Sequence, residues 1–217
     1  MVIDERSYTL DPMQAADYIA GSRDSGQALQ RKHGARLLGA FLTNTGILNQ
    51  YVHLWAWNDP KEREDKRRER DADPDWKAYV AGGRGRVLAQ QDRLMVPTDF
   101  SPMQMTPPAV SGKGIYERRT YTFRPGQLAG YVADFRTTAI PAFKRAGFEL
   151  IGLFTVDIGT LNQVIIYLRW KGLDERMRLF AATRDDDGFK QLRAANFERI
   201  VQQESHILIP TEFSPLT

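Results

Sequence analysis

The sequence of 217 residues contains no cysteine, which excludes disulfide bonds, thiolate zinc sites and iron–sulfur clusters. It also lacks a long apolar run, since its longest ones are strand-sized and fall well short of the roughly 20 residues that span a bilayer. An excess of charge is missing as well, because 30 basic and 27 acidic side chains leave a formal charge of +3. No arginine-rich arm or aromatic–basic motif is present, so neither nucleic acid nor a membrane is predicted as a partner.

Several signals of specialised chemistry are absent too. The sequence has no phosphate-binding glycine loop and no nucleophile elbow. Its three histidines do not stand at metal-ligand spacing, and no carboxylate cluster accompanies them, so no metal site and no cofactor are predicted. Patterned sequence begins at Val2, which leaves no stretch typical of a signal or transit peptide. A cytoplasmic location is therefore predicted.

What the sequence does contain is an internal repeat. The segment GILNQYVHLWAW at residues 46–57 recurs as GTLNQVIIYLRW at residues 159–170. The offset between Asn49 and Asn162 is 162 − 49 = 113 residues, and the same offset relates Phe-Ser-Pro at 100–102 to Phe-Ser-Pro at 213–215. A duplicated unit is therefore predicted, with modules at residues 1–103 and 114–217 and a Pro- and Gly-containing linker at residues 104–113.

Each module is predicted to have the β-α-β-β-α-β order of a ferredoxin-like fold. Strands are predicted in the first module at residues 3–10, 37–43, 50–57 and 94–100. The first helix is predicted to start from a cap at Asp11 and to run to about Lys32, with Gly34 as its stop. Asp59 and Pro60 are typical of a helix start and open a highly charged helix.

The end of the first module is predicted as a further helix and a final strand. Asp73 restarts a helix, although three glycines at residues 82, 83 and 85 interrupt it. The residues on its apolar side are Trp76, Tyr79, Val80, Val87 and Leu88. The last strand contains Pro97, which favours an edge position or a β-bulge because proline cannot donate a ladder hydrogen bond.

The strands are partly apolar on both faces, so each sheet has a second face to cover after its helices have packed on the first. The residues that suggest this are Leu38, Val52 and Leu54 in one copy and Ile151, Leu153 and Ile165 in the other. The predicted fold class is therefore α+β, with two ferredoxin-like modules in tandem whose sheets pack face to face as an intramolecular α+β barrel.

The hairpin segments and the module ends resemble the NIPSNAP family. The residues that carry the resemblance in the second copy are Leu150, Gly152, Phe154, Gly159, Leu161, Asn162, Gln163, Trp170, Arg176, Pro210, Phe213, Ser214 and Pro215, and their counterparts recur in the first. The resemblance implies a fold of the dimeric α+β barrel class, with the usual dimer built within one chain. Related barrels include cofactor-free monooxygenases, isomerases and haem proteins, so no single activity is implied.

Alternation along the third strand places an aromatic stripe with one histidine on one face. The stripe consists of Asn49, Tyr51, His53, Trp55 and Trp57. Arg6 and Tyr8 of the first strand are predicted to project toward the same space, forming a pocket between sheet and helices. His53 is the candidate catalytic base, with Tyr8 or Asn49 orienting a substrate oxygen; a haem with His53 as axial ligand is a further alternative.

The remaining candidate ligand-binding residues are Trp76 in the first copy and Arg119, Tyr121, Asn162 and Trp170 in the second. In the second copy Ile166 and Leu168 stand where the first has His53 and Trp55, so the first copy is predicted to hold the competent site. The structural alternative is that the stripe is core packing and that Asn49 and Asn162 fix the hairpin backbone.

Two functions stay open on the sequence alone. The first is binding of a small hydrophobic or aromatic molecule in the first module, with or without cofactor-independent proton-transfer or oxygenase chemistry. The second is a non-catalytic scaffold or protein-interaction module. A homo-oligomer of the two-module chain is compatible with both.

Overall fold

A computed structural model describes residues 1–217, which fold into eight strands and eight α-helices. The strands are β1 Val2–Leu10, β2 Arg36–Thr43, β3 Gln50–Trp57, β4 Val87–Pro97, β5 Ile115–Phe123, β6 Glu149–Ile158, β7 Gln163–Trp170 and β8 Ile200–Pro210. The helices are α1 Ala15–Gly21, α2 Gln27–Lys32, α3 Pro60–Ala72, α4 Pro74–Gly82, α5 Leu128–Asp134, α6 Ile140–Ala146, α7 Leu173–Ala182 and α8 Asp187–Asn196. No helix is both long enough and apolar enough to cross a bilayer.

The strands form one closed antiparallel barrel in the order β1-β3-β2-β8-β5-β7-β6-β4. Within each module the first strand lies between the third and the fourth, as in a ferredoxin-like sheet. The two sheets join at two seams, where β2 pairs with β8 and β4 pairs with β6. The predicted intramolecular α+β barrel is therefore confirmed.

The barrel interior holds the largest core cluster, to which both modules contribute. Val52, Leu54 and Ala56 of β3 point inward, where they meet Ile165 and Tyr167 of β7. The alternate residues of both strands point outward and pack under the helices. This strict alternation is what separates an apolar barrel core from the outer face on which the aromatic stripe lies.

Each module carries a π-helical turn in the middle of its first helical segment. The turn spans Ser22–Gly26 in the first module and Phe135–Ala139 in the second, at positions related by the repeat. In the first module the helix begins at Ala15 rather than at the predicted cap Asp11, because the Asp11 carboxylate accepts from the N–H of Met13 and forms a separate turn. The predicted end at Lys32 is confirmed.

The last strand of the first module was wrongly placed by the sequence pattern. It begins at Val87, so Val87 and Leu88 lie on β4 and not on a helix, and it ends at Pro97. Residues 88–92 are exposed and mostly polar, which hides the strand alternation. β1 and β6 flank β4, so it is not an edge strand as a whole, and its register shift with β6 falls between Leu94 and Met95 rather than at Pro97. Pro97 pairs with Phe154 of β6, while the pairing of β4 with β1 ends at Met95.

Comparison of the two copies predicts a stabilising substitution at the start of α7. In the first copy Asp59 caps α3 by accepting from the N–H of Glu62, whereas the second copy has Gly172 at this position, in an extended conformation with open space around its Cα. Gly172→Asp is expected to raise the free energy of unfolding by about 0.5–1 kcal/mol, because it adds a cap and removes unfolded-state entropy. Urea unfolding measures the change; Gly172→Ala, which adds no acceptor, is the control and should gain less.

Candidate functional site

The first module contains a cavity of about 990 Å³ on the outer face of its sheet. The sheet, the π-helical turn, α4 and the start of β4 enclose it. Its aromatic lining consists of Tyr8, Tyr18, Tyr51, His53, Trp55, Trp76 and Tyr79. Five of these seven are among the residues that the sequence predicted for the site: the structure brings Tyr8, Tyr51, His53, Trp55 and Trp76 to one cavity.

The hydrogen bonding of His53 fixes its tautomer. The indole Nε1 of Trp55 donates to His53 Nδ1 at 2.6 Å. An indole N–H can only donate, so Nδ1 is the acceptor and the neutral ring carries its proton on Nε2. Nε2 is buried and has no hydrogen-bond partner. His53 is therefore a residue of the cavity lining whose Nε2–H group is buried without a hydrogen-bond partner.

His53 is held neutral by its surroundings. Its side chain is 3% exposed, and burial, followed by the positive charge of Arg6, lowers its pKa well below the ordinary value. Tyr51 stacks on the imidazole with ring centroids 4.5 Å apart, and Tyr8 meets it edge-on at 4.8 Å. The ring is thus locked between two aromatic neighbours in its Nε2–H form.

This geometry changes the role that His53 can take. A general base needs a free lone pair, but the one on Nδ1 is occupied by the Trp55 N–H and Nε2 carries the proton. His53 is therefore arranged as a hydrogen-bond donor, in contrast with the predicted base, although a catalytic role stays a prediction. The haem alternative does not fit either, because ligation through Nε2 would require the proton on Nδ1.

Tyr8 adds a second donor beside His53. Arg6 Nη1 donates to the Tyr8 hydroxyl oxygen at 2.6 Å, so the hydroxyl hydrogen is left free to bind a ligand. Arg6 itself does not line the cavity, because it also binds Asp4 at 3.3 Å and lies 3.6 Å from Asp92. Arg6 contacts the cavity only through Tyr8, and its assignment as a ligand-binding residue stays a prediction.

The other predicted residues lie away from the first cavity. Asn49 and Asn162 have positive φ angles of 54° and 57°, and their carbonyl oxygens accept from Leu10 and Phe123, which is the backbone role of the structural alternative. Trp57 is 3% exposed and packs in a small core. Trp170 is buried under the helices of the second module, where its Nε1 donates to Glu117. The ligand-binding assignments of these residues stay predictions.

A second cavity, of about 620 Å³, lies at the equivalent place in the second module. Arg119 and Tyr121 line it, as do Ile166 and Leu168 in place of His53 and Trp55. The two copies therefore keep the same architecture but differ at the floor of the cavity.

The sequence interpretation missed three contributors to the first cavity, namely Tyr18, Gln27 and Tyr79. Gln27 is 3% exposed, and its Oε1 is buried without a partner. All three are on helices, so strand alternation could not reveal them. No sequence pattern singled out Gln27, because its neighbours at helical spacing, Gln30 and Arg31, are polar as well.

Comparison with known proteins identifies the fold and the family. The NIPSNAP family model matches residues 3–102 and again residues 116–215. The chain belongs to the NIPSNAP family. Among its NIPSNAP relatives, human Protein NipSnap homolog 3A is 23% identical over 214 residues, 97% of this chain and 84% of that protein. Human Protein NipSnap homolog 2 is 28% identical over 182 residues, 83% of this chain and 62% of that protein.

Two solved structures share the fold of the whole NIPSNAP chain. A candidate monooxygenase from Lactobacillus acidophilus NCFM superposes with a TM-score of 0.67 at 7% identity, covering 100% of this chain and 98% of that one. An anthrone oxidase-like protein superposes with a TM-score of 0.60 at 11% identity, covering 98% and 92%. At such identities the likeness shows the shared fold alone, and it assigns no ligand or reaction.

Proposed function

We propose that this NIPSNAP chain binds a small aromatic molecule with an oxygen substituent in the cavity of the first module. The observation that carries the proposal is that His53, a residue of the cavity lining, has a buried Nε2–H without a hydrogen-bond partner. An unpaired buried donor costs about 1–3 kcal/mol, and a ligand acceptor would remove that cost. The six other aromatic rings of the cavity lining favour a flat, largely apolar ligand body.

The polar atoms of the cavity narrow the class of ligand. His53 Nε2–H and the free hydrogen of Tyr8 are both donors and suit a carbonyl or phenolic oxygen, while Gln27 Oε1 is an unpaired acceptor that suits a hydroxyl hydrogen. Lys77, Arg84 and Arg86 lie at the rim with a single carboxylate, Asp71, so partial negative charge on the ligand is favoured.

Cofactor-independent proton transfer or oxygenation is the finer part of the proposal. If both donors bind one ligand oxygen, they would stabilise the enolate or phenolate form of the ligand, as an oxyanion hole does. The carboxylates nearest to Arg6, those of Asp4 and Asp92, are paired with Arg63 and do not line the cavity, so neither is placed to act as a base there. We therefore propose binding and polarisation of the ligand as the primary role.

The test compares 2-naphthol with naphthalene, which lacks only the hydroxyl group. His53→Phe is expected to weaken naphthol binding about tenfold or more, because one buried hydrogen bond is lost, and to leave naphthalene binding unchanged. Tyr8→Phe should act in the same direction. Isothermal titration calorimetry measures both affinities.

The repeat supplies a matched control for this experiment. Tyr121 occupies the position of Tyr8 in the second module, so Tyr121→Phe makes the same chemical change outside the proposed site. Naphthol affinity that is unaltered in His53→Phe, or lowered as much in Tyr121→Phe as in Tyr8→Phe, contradicts the proposal. Absence of any stabilising compound in a thermal screen of oxygenated aromatics would favour the scaffold alternative, because a bound ligand raises the melting temperature.

A further inference from the structure

The cavity of the second module has the shape and the lining of a separate binding site. Its volume of about 620 Å³ is within the range of small-molecule sites. The apolar part of its lining includes Tyr131, Phe135, Phe143, Ile166, Leu168, Phe180 and Phe189. With Ile166 and Leu168 at its floor, it lacks the histidine donor of the first cavity, so it must recognise a different ligand.

One cation at this cavity has no hydrogen-bonded counterion. The Arg119 side chain is 21% exposed, and its nearest carboxylate oxygen is Glu117 Oε1 at 3.7 Å, beyond hydrogen-bond distance. Its Nε is buried without a partner. The guanidinium lies over the rings of Tyr121 and Phe180, at 5.4 and 4.9 Å from their centroids. Arg119 is thus a half-buried cation beside an apolar space.

Glu117 does not hydrogen-bond Arg119, because both of its carboxylate oxygens already accept from other donors. Arg176 donates to both of them at 2.9 Å. Trp170 Nε1 donates to Oε2 and the Ser205 hydroxyl donates to Oε1. The carboxylate is therefore fully hydrogen-bonded without Arg119.

Comparison with the first module explains why Arg119 has no hydrogen-bonded carboxylate partner. Its counterpart Arg6 hydrogen-bonds Asp4 and lies 3.6 Å from Asp92, and it does not line the first cavity. In the second module Ser205 stands at the position of Asp92, since 205 − 113 = 92. Phe180 stands at the position of Arg67, since 180 − 113 = 67. One acidic and one basic side chain are thus lost together, so the net charge around the arginine is unchanged. A carboxylate partner has been replaced by a hydroxyl group, and an arginine by an aromatic ring.

We propose that the second-module cavity binds an amphipathic carboxylate. The apolar body of this ligand would lie among the phenylalanine rings, and its carboxylate would accept hydrogen bonds from Arg119. A guanidinium binds a carboxylate through charge-assisted hydrogen bonds, which are strongest where water is excluded. The site is independent of the one proposed in the first module.

The experiment titrates the full chain with 4-phenylbutyrate and with 4-phenylbutan-1-ol, which has the same apolar body but no charge. The acid is expected to bind about tenfold or more tightly than the alcohol. Arg119→Gln should abolish this preference. Ser205→Asp should reduce it as well, because it restores to Arg119 the carboxylate partner that Arg6 has.

A charge-matched control separates the site from general electrostatics. Arg178 is exposed and lies outside the cavity lining, so Arg178→Gln should leave the affinity for 4-phenylbutyrate unchanged. Equal affinities of the unaltered chain for acid and alcohol would overturn the proposal without any variant. It would also be overturned by an acid preference that survives both Arg119→Gln and Ser205→Asp, or by the absence of saturable binding at millimolar acid.

Discussion

Replacing Glu5 by Gln is expected to lower the free energy of unfolding by about 3–5 kcal/mol. Glu5 points into the barrel, is 2% exposed, and accepts hydrogen bonds from Arg93, Arg118 and Tyr167. Arg93 Nε lies 2.8 Å and Arg118 Nη1 lies 3.0 Å from its Oε1. Loss of the carboxylate charge leaves Arg93 and Arg118 without their counterion. The destabilisation caused by the two unpaired charges is larger than the net stabilisation that the two ion pairs provide.

The pH dependence of this effect follows from the pKa of Glu5. Burial alone would raise that pKa, but the charges of Arg93 and Arg118 and the hydrogen bond from Tyr167 outweigh it, and the pKa falls from 4.5 to about 2. A lowered pKa means that the stabilisation is present above about pH 4.5 and is lost as the pH falls toward 2. The difference between the unaltered chain and Glu5→Gln should therefore be constant from pH 7 to 5 and smaller at pH 3.

Urea unfolding at these three pH values tests the prediction, with Glu204→Gln on the exposed part of β8 as the control. The control should change the free energy of unfolding by less than about 0.5 kcal/mol. The double variant Glu5→Gln with Arg118→Gln should be less destabilised than the sum of the single changes, since it removes one of the unpaired charges. A loss below about 1 kcal/mol in Glu5→Gln would show that the cluster does not hold the modules together.

The cluster formed by Glu5, Arg93 and Arg118 shows that duplication within one chain lets equivalent positions carry opposite charges. Glu5 and Arg118 occupy equivalent positions of the two copies, as do Arg93 and His206, because each pair is 113 residues apart. In a dimer of identical modules these positions would carry like residues, and like charges would face each other across the axis. Once the copies are joined, the positions can diverge, so Glu5 pairs with Arg118, whose Nη2 lies 2.7 Å from Nδ1 of His206.

The sequence predicted those features of the fold that are determined by a local residue pattern. The repeat predicted the two modules, and the left-handed turns at Asn49 and Asn162 follow from residues that tolerate positive φ. The start of β4 was missed because residues 88–92 are exposed and present no alternating apolar face. A strand of this kind is held by backbone pairing with β1, which no side-chain pattern records.

The chemical state of the site residues depends on contacts that spacing does not reveal. His53 was predicted as a base because an isolated histidine titrates near neutral pH. Its donor role follows from the direction of one hydrogen bond from Trp55. In the same way, Arg6 and Arg119 are equivalent in sequence. The replacement of a carboxylate partner on another strand, Asp92 by Ser205, helps to separate a structural arginine from a candidate ligand-binding one.

A second large effect is expected at the packing of Phe154 in the barrel interior. Phe154 is 0% exposed, and its ring lies over Gly152 two residues earlier on β6, so that a Cβ added to Gly152 would be 2.4 Å from the ring. Phe154→Ala is expected to cost about 3–5 kcal/mol through lost burial and the cavity it leaves. Gly152→Ala alone should cost about 1–3 kcal/mol, because the ring must move in a closely packed core.

The two substitutions together test whether the glycine is needed because of the ring. In the Phe154→Ala background the clash is gone, so Gly152→Ala should cost nothing or stabilise by about 0.4–1 kcal/mol through the reduced entropy of the unfolded chain. The coupling in a double-mutant cycle, measured by urea unfolding, should therefore be about 1–3 kcal/mol. Additive effects would mean that Met103, whose Cβ lies 3.3 Å from the added methyl group, imposes the glycine instead. The first copy offers an independent repeat of the cycle, because Gly39 stands in the same relation to Phe41 at 2.6 Å.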